Sequence, residues 1–440
     1  MNTCRRRGAH TASRVMIFLA GVAMTACGGS GGLRPTFAVA TPADHASAAT
    51  DPTSLSTPAT GTACDSATGR VLLVGPGKTY AVPSAAAAVA QAGDIIKISA
   101  GNYTGDAAAW NQDNLTICGT GGRAVLYSGG KSVQGKGIWV ISGANVTLDS
   151  IEFHNATIPY SPGNGNNNGA AVRIQNTTGS FTVINCGFYD GENGILGGLA
   201  GTPTTVTIDR SEFARNGYGD GYTHNLYIGQ IARLTVTASY FHEAKVGHNL
   251  KSRAAQTHIE NSYFMDGSTG TASYTMDFPN GGQVYLCGNL LQKGVMARNP
   301  TVIAYGEEGL MWPVNSMQML HNTLVDNHPG GAFINAVAGT QSLAMTANLF
   351  AQTSGTALIN SEGIAASNVN QQASVTGNAS DIAGASSIVS PDFWPAATLA
   401  ARLNLPVALA LTYSADAPEP MIQRALIAAP TVTGALQLAP

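Results

Sequence analysis

At 440 residues the chain is long enough for a large domain, yet only 11% of its residues are charged and 52 are glycine. Its 22 Lys and Arg against 25 Asp and Glu leave a formal charge of −3, which offers no basic surface for nucleic acid. Six cysteines in this length do not make a disulfide scaffold, and no CxxC or Cys/His spacing marks a metal site.

Residues 1–26 stand apart as a leader. Arg5, Arg6, Arg7 and Arg14 form a positive start, and Val15 to Met24 supply an apolar stretch too short to span a bilayer. It ends in Met24-Thr25-Ala26-Cys27-Gly28, which resembles a bacterial lipobox. The resemblance implies a lipoprotein signal peptide, cleavage before Cys27, and a lipid anchor on that cysteine as the chain's only contact with a membrane. An ordinary signal peptide with a chance cysteine is the alternative. Gly28 in place of Asp implies the outer membrane of the cell envelope. Losing the leader removes four Arg and no acid, so the formal charge moves from −3 to −7.

Cys27 and the Ala-, Thr-, Ser- and Pro-rich residues up to 69 read as a flexible tether, because they bury too little to offset their ordering entropy. Cys118, Cys186 and Cys287 fall in apolar runs as small buried hydrophobes. A Cys64–Cys118 bridge, pinning the tether to the cap of the domain, is open to an oxidising compartment.

The domain spans residues 70–390. Pro83 to Gln91 is Ala-rich and leads into Asp94-Ile95-Ile96-Lys97-Ile98, a short helix running into a strand that would close the end of a solenoid. The phrase KTYAVPSAAAAVAQAGDIIKISAGNYTG (78–105) resembles the N-terminal cap of right-handed parallel β-helix proteins acting on polysaccharides, the pectate-lyase-like class. Beyond it a unit recurs. Its Phe or Leu ends fall at Phe153, Phe188, Phe213, Phe241, Phe264, Leu291, Leu324 and Phe350, with spacings of 35, 25, 28, 23, 27, 33 and 26. Two positions before each, from the second onward, stand Cys186, Ser211, Ser239, Ser262, Asn289, Asn322 and Asn348. Residues two apart share a face of a strand, so both columns are expected to point inward, the polar one hydrogen-bonding along itself. Repeats of this length with loops of variable length on one side describe an all-β, single-stranded right-handed parallel β-helix with an N-terminal helical cap. Residues 391–440 lose the pattern and read as a C-terminal cap or return strand over the last turn, with a short helix at Ala396–Leu403.

Two near-copies of one phrase mark the centre of the chain: HNLYIG at 224–229 and HNLKSR at 248–253. Stacked on Leu226, Leu250 and Met276, the strands place Tyr227, Lys251 and Asp277 in one outward column, with Arg253 one step further on. Asn225, Asn249 and Thr275 are expected in an outward column beside it. His224 and His248 then turn inward as a stacked structural pair, or stand at the mouth of the site as acid and base if the strands start only after them. His242, Glu243 and Lys245 rim the site or form a solvated turn.

Lys and Arg two apart on such a face suit β-elimination of a uronate polysaccharide. A cation must neutralise the carboxylate, a base must take the C5 proton, and an acid must protonate the departing O4. Arg253 fits the first role by its planar fork, Lys251 the second, and Tyr227 or a histidine the third. Asn225, Asn249, Asp277 and His242 would bind the sugar. The arrangement resembles polysaccharide lyases of the parallel β-helix class, in which a Lys/Arg pair acts on uronates. Other readings on the same residues are a surface ion pair between Lys251 and Asp277, a uronate epimerase, and a monomeric envelope protein that holds polysaccharide without cleaving it. No cofactor is required, although Glu307, Glu308 and Asp277 offer oxygen ligands for Ca²⁺.

Overall fold

The structure is a computed structural model that describes residues 62–159, 168–176, 178–198, 201–353, 355–360, 363–388, 391, 393–400, 402–403 and 433–436. The leader, Cys27, nearly all of the tether and most of residues 404–440 lie outside the described residues.

The repeat folds as the expected parallel β-helix, with about 11 turns. Each turn contributes three strands, and each strand pairs in parallel with its counterpart one turn on. The first row includes Ile231–Thr237 and Gln256–Glu260, the second Tyr240–His242 and Tyr263–Met265, and the third Leu226–Ile228, Leu250–Ser252 and Met276–Phe278. The Phe/Leu column lies in the second row and stays in register from Phe153 to Phe350. Its rings stack at centroid separations of 5.4, 4.4, 4.6 and 4.8 Å from Phe153 to Phe264, fully buried. Each buried ring contributes ~1.5–3 kcal/mol of transfer free energy, and the column runs the length of the core.

One residue makes the corner between first and second rows. Asn185, Arg210, Ala238, Asn261, His321 and Ala347 hold φ between 44° and 55°, a left-handed conformation that costs roughly 1 kcal/mol or more per residue. The polar column comes directly after it and stabilises that corner. Ser211 Oγ accepts the Cys186 N–H and Ser239 Oγ the Ser211 N–H, and the chain of bonds runs on through Ser262, Asn289 and Asn322 to Asn348 at 2.9–3.1 Å. Every buried corner amide in this run thereby finds a partner.

At the N-terminal end, Pro83–Ala87 forms the expected short helix with proline at its start, and buries Ala86 and Ala87. The described residues ahead of residue 70 pack against this end. A one-turn helix, Ala63–Ser66, is held by the Cys64–Cys118 disulfide, with a Cα–Cα distance of 6.1 Å, and by its Ala63 N–H donating to Asp149 at 2.7 Å. Cys186 is a buried free thiol that burial pushes up to about 12.

The described part of the C-terminal region reaches the last turn, where Arg402 Nη2 donates to Thr376 O at 3.0 Å and Thr433 Oγ1 to Ala373 O at 2.9 Å. It folds back along the outer face of the second row, where Tyr240, Tyr263, Met265, Leu290, Val325 and Leu349 present an apolar stripe to Ile382, Phe393, Leu399 and Leu436. Tyr240 Oη donates to Ile388 O, and Gly434 N–H donates to Ala347 O. An apolar outer stripe needs such a cover, and the sequence pattern of the second row carries it only in its C-terminal half.

Candidate active site on the third row

The third-row strands are three residues long at this point, and their centres form the expected outward column. Leu226, Leu250 and Met276 stack inward, and Tyr227, Lys251 and Asp277 lie in direct register on the other face. The register extends further than the HNL phrase suggests. Arg173 and Leu196 precede Tyr227 in the same column, and Ala304 and Asn335 come after Asp277. Seven adjacent turns span ~29 Å at the spacing of parallel strands.

Lys251 is the hinge of the cluster. Its Nζ lies 3.0 Å from Asp277 Oδ2 and 2.7 Å from Glu308 Oε1. Arg253 donates from Nε to Tyr227 Oη at 2.9 Å, from Nη1 to Asn280 Oδ1 at 2.8 Å, and from Nη2 to Glu308 Oε2 at 2.6 Å. Its guanidinium also stands 5.6 Å from the Tyr227 ring. One carboxylate, that of Glu308, therefore bridges both cations. Burial opposes its ionisation, but the bonds from Lys251 and Arg253 outweigh that and hold its carboxyl below the usual range. Asp277 is nearly enclosed, and burial pushes its carboxyl up to about 6 against the pull of Lys251. Its Oδ1 has no hydrogen-bond partner.

The histidines stack, His224 on His248 at 4.7 Å between centroids and His248 on Tyr274 at 5.2 Å. They do so just before the strands start, buried but outside the apolar core. His224 Nδ1 accepts the His248 N–H and His248 Nδ1 accepts the Tyr274 N–H, so each ring carries its proton on Nε2. His248 Nε2 then faces Asp277 Oδ2 at 3.3 Å. Burial, with the cations nearby, lowers His224 to about 3 and moves His248 well below its ordinary value. Both are neutral donors at neutral pH. Gly247 makes this stack feasible, because a Cβ there would stand 1.8 Å from Thr223 O and 2.9 Å from His224 Nδ1.

Three residues expected to bind the sugar are buried away from the outward column. Asn225 and Asn249 are fully buried at the turn before the strand. Asn225 Nδ2 donates to Asn249 Oδ1 at 2.8 Å, and Asn249 Nδ2 donates to Asp266 Oδ1 at 3.1 Å. Alternation does not extend past a three-residue strand, so these side chains turn inward to satisfy the corner. His242 belongs to the second row. It is buried between Glu212 and Glu243 at 3.1 and 3.0 Å, and these carboxylates outweigh burial and raise its pKa. It is not a member of the cluster.

Beneath the site, Lys293 and Asp266 are fully buried at 3.7 Å, and the Lys293 ammonium donates to Ala272 O and Ser273 O. These bonds fix the turn that carries Tyr274 and, through it, the position of His248. The three carboxylates offered as calcium ligands each have partners within the protein. Asp277 and Glu308 face Lys251 and Arg253, while Glu307 accepts from Tyr274 Oη at 2.5 Å and from Asn335. A cavity lined by Asn327, Gln352, Thr353, Asn378 and Ser380 lies elsewhere, beside the C-terminal segment, and has no ionisable group in its lining.

Tyr274 and Arg173 were within reach of the sequence, since they occupy the positions of His248 and Lys251 in their own strands. Asn280 and Trp312 were not, and Glu308 was singled out as an oxygen ligand for calcium rather than as the partner of both cations. They arrive on segments beyond the strands, one or two turns on, where no period applies.

No family model matches this chain, and no curated protein does. Among solved structures it is similar to the pectate lyase Pel9A, at 14% identity over 84% of this chain and 97% of that one, with a TM-score of 0.49. A rhamnogalacturonan lyase is similar at 10% identity over 72% and 91%, with a TM-score of 0.45. The PL6 family alginate lyase AlyGC is similar at 16% identity over 68% and 53%, with a TM-score of 0.31.

Proposed function

We propose that the cluster on the third row binds an acidic, uronate-containing polysaccharide and cleaves it by β-elimination. The observation that supports this most directly is the pair of cations, Lys251 and Arg253, converging on one carboxylate beside a phenol. In this reading the sugar carboxylate takes the position of the Glu308 carboxylate against Arg253. Its negative charge is thereby neutralised and the C5 proton becomes acidic.

Lys251 is the base. It acts as the free amine, held beside the Asp277 carboxylate at 3.0 Å. The free amine then takes the C5 proton. The C5–H electron pair forms the C4=C5 double bond as the C4–O4 bond breaks. Tyr227 donates its hydroxyl proton to the departing O4, since its oxygen already accepts from Arg253 Nε and its own proton is free to leave. His224 and His248, held neutral, orient Asp277 and the ring of Tyr227 rather than carry protons. The test is the ultraviolet absorbance of an unsaturated uronate during incubation with acidic polymers. It is expected to vanish in Lys251→Ala and in Arg253→Ala; activity surviving in both rules out this site.

The complete ion pairing of Lys251 favours a second reading, a β-helix that holds the polymer without cleaving it. Binding on glycan arrays with no product from any polymer would select it. We also infer that Cys27 carries the lipid that tethers this activity to the envelope, on the strength of the Met24–Gly28 motif. Palmitate labelling that persists in Cys27→Ser would refute that anchor.

A further inference from the structure

We propose that Glu308 is a built-in surrogate for the ligand's carboxylate, and that the site opens to an acidic polymer only when this side chain swings out. The inference rests on the reading of the site as one for uronates, and adds a device that sets its affinity. Lys251 and Arg253 are the cations a bound carboxylate would need, and Glu308 already satisfies both at 2.7 and 2.6 Å. The cations are largely enclosed, with side chains 11% and 18% exposed, whereas the Glu308 side chain is 48% exposed and faces solvent. With Asp277 counted, two positive and two negative charges cancel, so the closed site has no net charge to attract a polyanion.

The movement belongs to the side chain, because the backbone beneath it is pinned. Glu308 N–H donates to Pro279 O at 3.0 Å, and Met311 N–H donates to Asn280 O at 3.0 Å. Asn280 Nδ2 donates to Gly309 O at 3.2 Å, and Trp312 Nε1 donates to Arg253 O at 3.2 Å. Nothing comparable holds the Glu308 carboxylate except the two cations themselves. Rotation about its side-chain bonds moves it into water and leaves Arg253 still fixed by Tyr227 and Asn280, in position to receive another carboxylate. A partly exposed bridge to two cations closes the site in about nine molecules of ten, which weakens the apparent affinity for a competing carboxylate about tenfold.

The experiment measures binding of the mature chain to polygalacturonate, polyglucuronate, alginate and neutral dextran by calorimetry at fixed low salt. Glu308→Gln is expected to bind at least one acidic polymer about tenfold more tightly than the wild type, with dextran unchanged. Glu308→Asp keeps the charge but is one methylene too short to bridge both cations, so it should also bind more tightly. A gain in Gln without a gain in Asp would mean simple removal of repulsion, and overturns the surrogate. So does a Glu308→Gln protein that binds all three polymers no better than wild type, including binding none of them. Product formation is recorded separately. Tighter binding without product refutes cleavage and leaves the surrogate standing, while product with unaltered affinity does the reverse. Thermal melting of both variants guards against a folding defect, which an exposed glutamate is not expected to cause.

Discussion

Lys251 Nζ and Asp277 Oδ2 meet at 3.0 Å across one turn of the helix, both side chains largely withdrawn from water. A pair enclosed in this way is costly to break from one side. Lys251→Met leaves the Asp277 carboxylate buried with only the His248 N–H, at a cost of roughly 3–5 kcal/mol. Asp277 escapes part of that cost by protonating, since its carboxyl titrates near 6. The loss in urea unfolding free energy is therefore expected to be larger at pH 8 than at pH 5. The double variant Lys251→Met with Asp277→Asn should recover much of it. A Lys251→Met penalty that is small and equal at both pH values would show that the pair carries no such coupling.

The stacked histidines set an acid limit. Both are held neutral in the fold and ionise freely in the unfolded chain, His224 near 3 against an ordinary 6.5. Their contribution is complete above pH 6.5 and is lost as pH falls toward 3. Asp277 acts in the opposite sense between about 6 and 3.8, but one carboxyl does not outweigh two imidazoles. At pH 4.5 His224 alone accounts for roughly 3 kcal/mol. Thermal melts from pH 7.5 to 4 should show a falling limb below 6.5 that is shallower in His224→Asn. An unchanged limb in that variant would place the acid sensitivity elsewhere.

Which residues obey a period decides how much of the molecule is legible before folding. The inward Phe/Leu column and the Leu226–Leu250–Met276 register are periodic, and the parallel β-helix and the Tyr227–Lys251–Asp277 column come directly from them. Asn225 and Asn249 were misplaced because alternation was extended one residue beyond strands only three residues long. His242 was misplaced because the segment read as a turn is itself a strand of the second row. The loop from Gly306 to Trp312 obeys no period, so although Glu308 stood out beside Asp277 as an oxygen ligand, nothing in the chain signals that it pairs with Arg253 from 55 residues away. The backward path of the C-terminal segment is the same kind of contact.

The corner ladder predicts a graded response at Asn322. Its Oδ1 accepts from Asn289 N–H and Nδ2, and its Nδ2 donates to Leu286 O and Asn348 Oδ1, all at 2.9–3.0 Å. Asn322→Ala leaves these groups buried and unmet, for a loss of roughly 3 kcal/mol or more. Asn322→Ser should cost about 1 kcal/mol less. Serine already serves as the acceptor at positions 211, 239 and 262 of the same ladder. Equal urea midpoints for the two variants would contradict the ladder as the source of the stabilisation.

The Cys64–Cys118 bridge closes a loop with a sequence separation of 54 that contains the whole N-terminal cap. Restricting a loop of that length in the unfolded chain is worth about 4 kcal/mol in the chain-entropy picture. The bridge also anchors the one-turn helix, whose other ties are the Ala63–Asp149 hydrogen bond and the solvent-facing Lys97–Asp65 pair. Once it is reduced, only the Asp149 bond and the exposed Lys97 pair hold that helix, and Ile95, packed beneath it with the two cysteines, gains access to water. Cys64→Ser with Cys118→Ser is therefore expected to lower the melting temperature and to expose the segment from Thr62 to Gly69 to protease ahead of the rest. The Lys251–Arg253 cluster lies several turns further along the helix, so polymer binding below the new melting temperature should be unaffected. Loss of binding together with cap cleavage would mean that the turns do not bear their load locally, as a stacked solenoid requires.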